Sequence, residues 1–252
     1  MEANKNRREY KFLLPPGLVG RLRNLVAEHL EIDRGATEGY PILSEYYDTE
    51  DRMSYWEKRF GVTSRRRIRS RIYGHRDGDI PPTSFIEVKH KHNGTVVKRR
   101  VMVGLAQVTQ LSSERIINTP DDAPSSVVTE ITELMENPPK HPVVQIRYHR
   151  YAYDSGPDGT IRITFDTDPC CRFRDVPLAH DDSEFELPLL PPGEAIMEVK
   201  TIGPVPYWFR SLIGRFKLVP RGFSKYATAL EKYEMCPNTT KTAINGHQPV
   251  SQ

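Results

Sequence analysis

The stretch Arg65-Arg66-Arg67-Ile68-Arg69-Ser70-Arg71-Ile72-Tyr73 carries the densest chemistry in the chain. As a helix it would spread positive charge around the whole cylinder. As a strand, its side chains alternate between two faces. Arg65, Arg67, Arg69, Arg71 and Tyr73 then share one face, and Ile68, Ser70 and Ile72 share the other. That parity predicts a half-buried strand. A guanidinium is permanently charged, planar and rich in donors, so a row of them suits phosphate oxygens. Such a row can face solvent, a nucleic acid or the inside of a closed sheet.

The neighbouring elements decide between these, because the same parity recurs in them. Glu9 and Lys11 oppose Tyr10, Phe12 and Leu14. Glu87, Lys89 and Lys91 oppose Ile86 and Val88. Lys98 and Arg100 oppose Val97, Val101 and Val103. Arg162, Thr164, Asp166 and Asp168 oppose Ile161, Ile163 and Phe165, and Glu198 and Lys200 oppose Met197 and Val199. Tyr148 and Arg150 share a face of a strand that is polar on both sides.

Alternation by itself describes an antiparallel sandwich with solvated charged faces. Two features favour the inverse arrangement: the charged faces are dense in Arg and Lys, and they interleave Glu and Asp at two-residue spacing. A barrel covered by helices would pack its apolar faces outward and line a tunnel with charge. The cations would bind a polyanion, and the carboxylates would hold a hard divalent metal that bridges phosphate oxygens. A nucleic-acid surface gains little from Glu87, Asp166 and Glu198 among its bases, so no nucleic-acid partner is expected.

Strands are expected over 9–14, 42–48, 65–73, 84–91, 96–103, 143–153, 160–168 and 195–202, and helices over 16–31, 51–60, 104–113, 125–136, 206–216 and 224–233. Turns are expected at Asp77-Gly78-Asp79, at Asn93-Gly94 and over Ser155 to Gly159. Residues 169–193 read as irregular, with a short strand near 184–187. Residues 1–234 are expected to form one domain, and 235–252 a disordered tail.

With 252 residues the chain can bury a sizeable core. Its 36 basic residues nearly balance 33 acidic ones, so any strong field must come from segregated charge. The N-terminus lacks an apolar leader and no run is long enough to span a membrane, so a cytoplasmic protein without direct membrane insertion is expected. Cys170, Cys171 and Cys236 form no CxxC, which indicates neither a zinc site nor a disulfide framework. There is no P-loop, no HExxH and no nucleophile elbow. His90, His92 and His149 fall off the charged faces and are not expected to act as acids or bases.

A family resemblance rests on motifs taken in order. Glu9-Tyr10-Lys11-Phe12 and Tyr46-Tyr47-Asp48-Thr49 come first, then Arg69-Ser70-Arg71-Ile72-Tyr73-Gly74 and Phe85-Ile86-Glu87-Val88-Lys89. Tyr148-His149-Arg150, Arg162-Ile163-Thr164-Phe165-Asp166-Thr167-Asp168, Met197-Glu198-Val199-Lys200 and Phe223-Ser224-Lys225-Tyr226 follow. Together they resemble the VTC domain, the polyphosphate polymerase domain of the vacuolar transporter chaperone family. That family lies in the triphosphate tunnel metalloenzyme (CYTH-like) superfamily.

The resemblance implies an α+β fold, an eight-stranded antiparallel closed tunnel barrel with helices packed on the outside. It implies a phosphotransferase that moves the terminal phosphate of a nucleoside triphosphate, with ATP expected, onto inorganic polyphosphate using Mn2+ or Mg2+. Lys11, Arg69, Arg71, Lys89, Lys98, Arg150, Arg162, Lys200 and Lys225 would contact phosphates, and Tyr148 and Ser224 would add hydrogen bonds. Glu198 would ligate the metal. Glu87 would ligate it too, or orient Lys89.

Two departures stand out. Gly222 occupies a position that is often basic in the family, with Arg221 beside it as a stand-in. The superfamily's hydrolases open on Glu-x-Glu-x-Lys where this chain has Arg7-x-Glu9-x-Lys11, which fits the polymerase branch better. A tunnel-fold triphosphatase and a non-catalytic polyphosphate sensor are the alternatives. Eukaryotic relatives sit in membrane complexes, so coupling to a membrane here would need a separate partner.

Overall fold

The computed structural model describes residues 7–33, 36–74, 82–93, 95–156, 159–173, 176–233 and 235. The expected turn at Asp77-Gly78-Asp79, Gly94, Pro157-Asp158, Cys236 and the expected tail from 236 on lie outside the described residues, as does the side chain of Arg7. Strands β1 (Arg7–Leu14), β3 (Tyr40–Asp48), β4 (Ser64–Tyr73), β5 (Thr83–His92), β6 (Thr95–Val103), β7 (His141–Asp154), β8 (Ile161–Arg172) and β10 (Ala195–Ile202) form the main sheet. Two short strands, β2 (Glu31–Ile32) and β9 (Leu187–Pro188), pair with β7 and β8. The helices are α1 (Leu18–Ala27), α2 (Met53–Arg59), α3 (Leu105–Glu114), α4 (Ser125–Glu136), α5 (Tyr207–Arg215) and α6 (Lys225–Lys232).

Every strand pair is antiparallel, in the order β1-β10-β8-β7-β3-β4-β5-β6. Directly opposed residues point to the same side of an antiparallel sheet. The registers Lys11↔Glu198, Lys200↔Arg162, Asp166↔Arg150, Tyr46↔Arg69 and Arg69↔Glu87 therefore place the charged residues of successive strands on one face.

The other face is apolar and packs outward on helices. Phe12, Phe165 and Met197 bury against Leu22 and Val26 of α1 and Phe209 of α5. Ile68, Ile86, Val88 and Val101 bury against Val108 and Leu111 of α3 and Ile131 of α4. Each such side chain contributes about 1.5–3 kcal/mol when fully withdrawn from water. The sheet curls so that Lys89 of β5 acts electrostatically on Glu9 and Lys11 of β1, which lie at the far end of the strand order.

Two parts of the expected barrel are corrected. The eight-stranded path does not close: among the described residues β1 and β6 are not paired. The cause lies at the outer edge of β1, which the segment before α6 occupies. There the Arg221 N–H donates to the Lys11 carbonyl at 2.7 Å, and the Lys11 ammonium donates to the Phe223 carbonyl at 3.3 Å.

Nor do all the helices lie outside. Tyr226, Ala227, Ala229 and Leu230 of α6 pack on Tyr40, Ile42, Val144, Ile146 and Tyr148, which belong to the charged face. Helix α2 borders that face as well, since the Ser54 carbonyl accepts from Arg67 at 3.3 Å. Among the described residues four helices cover the convex side, α6 fills part of the concave one and α2 borders it.

Candidate active site

The concave face is built from strand register. Arg69 and Arg71 lie two residues apart on β4, so both side chains project to the same side. Arg69 donates to Glu87 Oε2 at 2.8 Å and to the Tyr46 hydroxyl at 3.2 Å. The other Glu87 oxygen meets Lys98 of β6. Burial alone would raise the Glu87 carboxyl, but Arg69, Arg71 and Lys98 outweigh it and hold it well below the usual range.

Across the sheet, Asp166 accepts both arms of Arg150 at 2.7 and 2.9 Å and also Lys225 of α6 at 2.5 Å. Burial would raise Asp166, and Arg150 and Lys225 bring it down to about 2. Lys225 also lies 4.1 Å above the Tyr148 ring.

A third cluster spans β1 and β10. Lys11 sits 3.2 Å from Glu9 and 3.4 Å from Glu198, and Lys200 pairs with the second Glu198 oxygen. Burial opposes ionisation of Glu198, and Lys200, Lys11 and Arg150 overcome it, holding the carboxyl well below the usual range. Glu9 and Glu198 repel each other across Lys11.

Several cations, Arg67, Arg71 and Lys89 among them, stand apart from these clusters. Arg71 is 5% exposed and donates to the Ser44 hydroxyl at 3.0 Å. Among the described residues it has no carboxylate at ion-pair distance, and Lys89 has none either. Burial and Arg69 oppose the charge of Arg71, and Tyr148, Glu87 and Tyr73 outweigh them, so Arg71 stays a cation that an incoming anion could bind directly.

The structure thus brings Lys11, Arg69, Arg71, Lys89, Lys98, Tyr148, Arg150, Lys200, Lys225, Glu87 and Glu198 onto one concave surface. Arg162 shares the face, but it is tied at the rim to Asp33 at 2.5 Å and Asp154 at 3.2 Å. Ser224 caps α6, its hydroxyl oxygen accepting the Ala227 N–H at 3.4 Å, as serine before a helix does. Arg221 supplies its backbone to β1 and leaves its side chain exposed. His149 lies on the convex side near the Glu38 carbonyl, and His90 beside Ser64.

Sequence reasoning placed Glu9 and Asp166 on the charged faces, with Asp166 among the carboxylates suited to a metal, and did not pick out Tyr46 or Lys58 as site residues. Parity flagged the first two, but not their partners. Burial works against ionising Tyr46, yet Arg69, Arg71 and Lys225 lower its phenol to about 8. Lys58 of α2 is lowered to about 8 by burial and by Arg67, which places a further cation at the edge of the site.

A hard divalent cation takes oxygen donors, commonly one or two carboxylates completed by phosphate oxygens and water. Glu198 and Glu9 fit that donor set, since the groups in ion-pair contact with them are lysines on flexible stems. Glu87 does not: it is 1% exposed and both its oxygens are engaged by Arg69 and Lys98. Among the described residues no group of three or more His, Cys, Asp or Glu gathers as a metal cluster, so substrate would have to complete the coordination.

Comparison with protein families matches residues 6–233 to the VTC domain. Comparison with curated proteins returns no match. Among solved structures, the PH1819 protein of Pyrococcus horikoshii OT3 aligns at TM-score 0.47 and 13% identity, covering 90% of this chain and 99% of its own. A Bacillus halodurans protein, bh2851, described as a "putative adenylate cyclase", aligns at TM-score 0.50 and 9% identity, covering 87% of this chain and 95% of its own. At 9% identity the likeness to the latter is one of fold alone.

Proposed function

Because the chain belongs to the VTC domain family, we propose that it is a polyphosphate polymerase. It moves the terminal phosphate of ATP onto a growing polyphosphate chain on the concave cationic face, with Mn2+ or Mg2+. The observation that carries this reading is Arg71: a buried guanidinium beside Arg69 with no carboxylate at ion-pair distance among the described residues, on a face that carries further cations in the same position. Lys89 extends the same deficit. A polyanion completes both.

Phosphoryl transfer asks for positioning and charge rather than covalent chemistry from the protein. Arg69, Arg71 and Arg150 present planar donors to phosphate oxygens. Lys98 and Lys225 add point charges, with Tyr148 as a platform under Lys225. A metal held by Glu198 and Glu9 would neutralise charge on the phosphate oxygens. The acceptor phosphate is already an anion at neutral pH, which agrees with the absence of a histidine among these residues.

The test is incubation of the purified protein with ATP and Mn2+, resolving products on a gel. ADP together with long polyphosphate supports the proposal. Free phosphate without chains would instead indicate a triphosphatase. Retention of added polyphosphate without any ATP turnover would indicate a binding domain.

A further inference from the structure

The concave face changes character along one register row. Arg71 of β4 is opposed by Phe85 of β5, and Phe85 by Met102 of β6. These three side chains point to the same side as the phosphate-directed cations, yet the row passes from guanidinium to aromatic to thioether. Met102 is 60% exposed, unusual for so apolar a residue on a face otherwise given to charge.

The next row holds Arg69, Glu87 and Arg100. The side chains of Arg69 and Lys98 have taken both oxygens of Glu87, so Arg100 is left without its cross-strand carboxylate. Its guanidinium lies over the Phe85 ring instead, 4.3 Å from the ring centre. Tyr73 meets that ring edge-on at 5.8 Å and 88°, which fixes its plane. Arg100 is exposed, so the outer face of its guanidinium is open.

We propose that the Phe85–Arg100 stack, with Met102 beside it, is the nucleobase platform of the site. The inference rests on the polymerase reading and adds where the nucleoside lies. The base stacks on the outer face of the Arg100 guanidinium, and Phe85 acts as a positioning residue that holds that plane. The sugar lies against Met102, and the phosphates run toward Arg71, which is adjacent to Phe85 across the β4–β5 ladder. Aromatic and guanidinium planes accept any base, since every base has a π-face, so the platform favours nucleotides over bare phosphate without reading base edges.

The experiment is calorimetric binding of two probes to the full chain: the β,γ-imido analogue of ATP, which does not turn over, and inorganic tripolyphosphate. Arg100→Lys keeps the charge and removes the planar stack. Phe85→Leu keeps apolar volume and removes the ring. Each is expected to weaken the ATP analogue roughly ten-fold, about 1.4 kcal/mol, relative to tripolyphosphate. Retained tripolyphosphate binding in each variant reports an intact phosphate site. If the ratio of the two affinities matches wild type in both variants, the platform is refuted while the phosphate site stands. If wild type binds neither probe, the polymerase reading falls and the platform with it.

Discussion

Asp166 and Glu198 lie on neighbouring strands of the same face and share an interest in Arg150, yet they are built for different work. Asp166 is 0% exposed and is gripped by the two arms of a guanidinium and by Lys225. A planar fork fixes a carboxylate in both position and plane. Glu198 is held by two lysines, Lys11 and Lys200, whose long stems can swing aside. It also keeps Glu9 nearby, a repulsion that a divalent cation would turn into attraction. The first carboxylate is scaffold that holds Arg150 and α6 in place; the second is available for chemistry.

The largest expected effect breaks the first half of that comparison. Asp166→Asn leaves Arg150 and Lys225 buried without their counter-charge and should cost about 3–5 kcal/mol of stability. In a chain of this size that lowers Tm by roughly 10 °C, which scanning calorimetry can read. The pH dependence has a definite sign. Asp166 falls from 3.8 to about 2 on folding, so its contribution is complete above pH 3.8 and is lost as pH falls through about 2. The variant should lack that part of the acid slope. A Tm within a few degrees of wild type would mean Asp166 is not the scaffold.

The second prediction concerns the other carboxylate. Glu198→Gln should reduce metal-dependent turnover on the order of 10²–10³-fold while leaving Tm close to that of wild type. The same substitution should also weaken Mn2+ binding measured without nucleotide. Full activity in this variant would remove Glu198 from the metal site.

Much of this arrangement was legible in the chain itself, because parity in a strand is a local property. Arg69 and Arg71, Glu87 and Lys89, and Glu198 and Lys200 each declare a face two residues at a time. What could not be read was how the faces close on one another. The open seam depends on Arg221 reaching back to Lys11, 210 positions earlier, through a backbone hydrogen bond that no side-chain pattern encodes. The seat of α6 inside the face depends on Tyr226 stacking on Tyr46 at 5.3 Å and donating to Asp48 at 2.5 Å. Its amphipathic spacing shows that the helix buries one side, and either surface of the sheet would satisfy that. Asp166 was visible as a charge, but its role as scaffold follows only from its partners.

A smaller effect separates Lys98 from the tyrosines around it. Burial lowers the Lys98 ammonium, Glu87 supports it and Arg69 opposes it, leaving it at about 8. Tyr46 and Tyr73 also lie at about 8. As pH rises through 8 the site loses a cation and gains phenolate charge, so kcat/KM for ATP should fall on its alkaline side. Lys98→Arg keeps its charge at every pH used and should move that limb upward. An unmoved limb would assign the ionisation to Tyr46, Tyr73 or Lys58 instead.

The smallest expected effect belongs to Arg162, and it sharpens where the site ends. Its guanidinium is already matched by Asp33 and Asp154 at the rim, in the manner of a surface ion pair. Such pairs contribute about 0–1 kcal/mol, so Arg162→Gln should change stability by no more than that. An arginine satisfied by two carboxylates has little charge left for phosphate, whereas Arg71 has no carboxylate at ion-pair distance among the described residues. Arg162→Gln should therefore alter KM for ATP by about two-fold or less, and Arg71→Gln by far more. If Arg162→Gln raises KM ten-fold instead, substrate must draw Arg162 away from Asp33 and Asp154, and the phosphate track then extends along β8 to that rim.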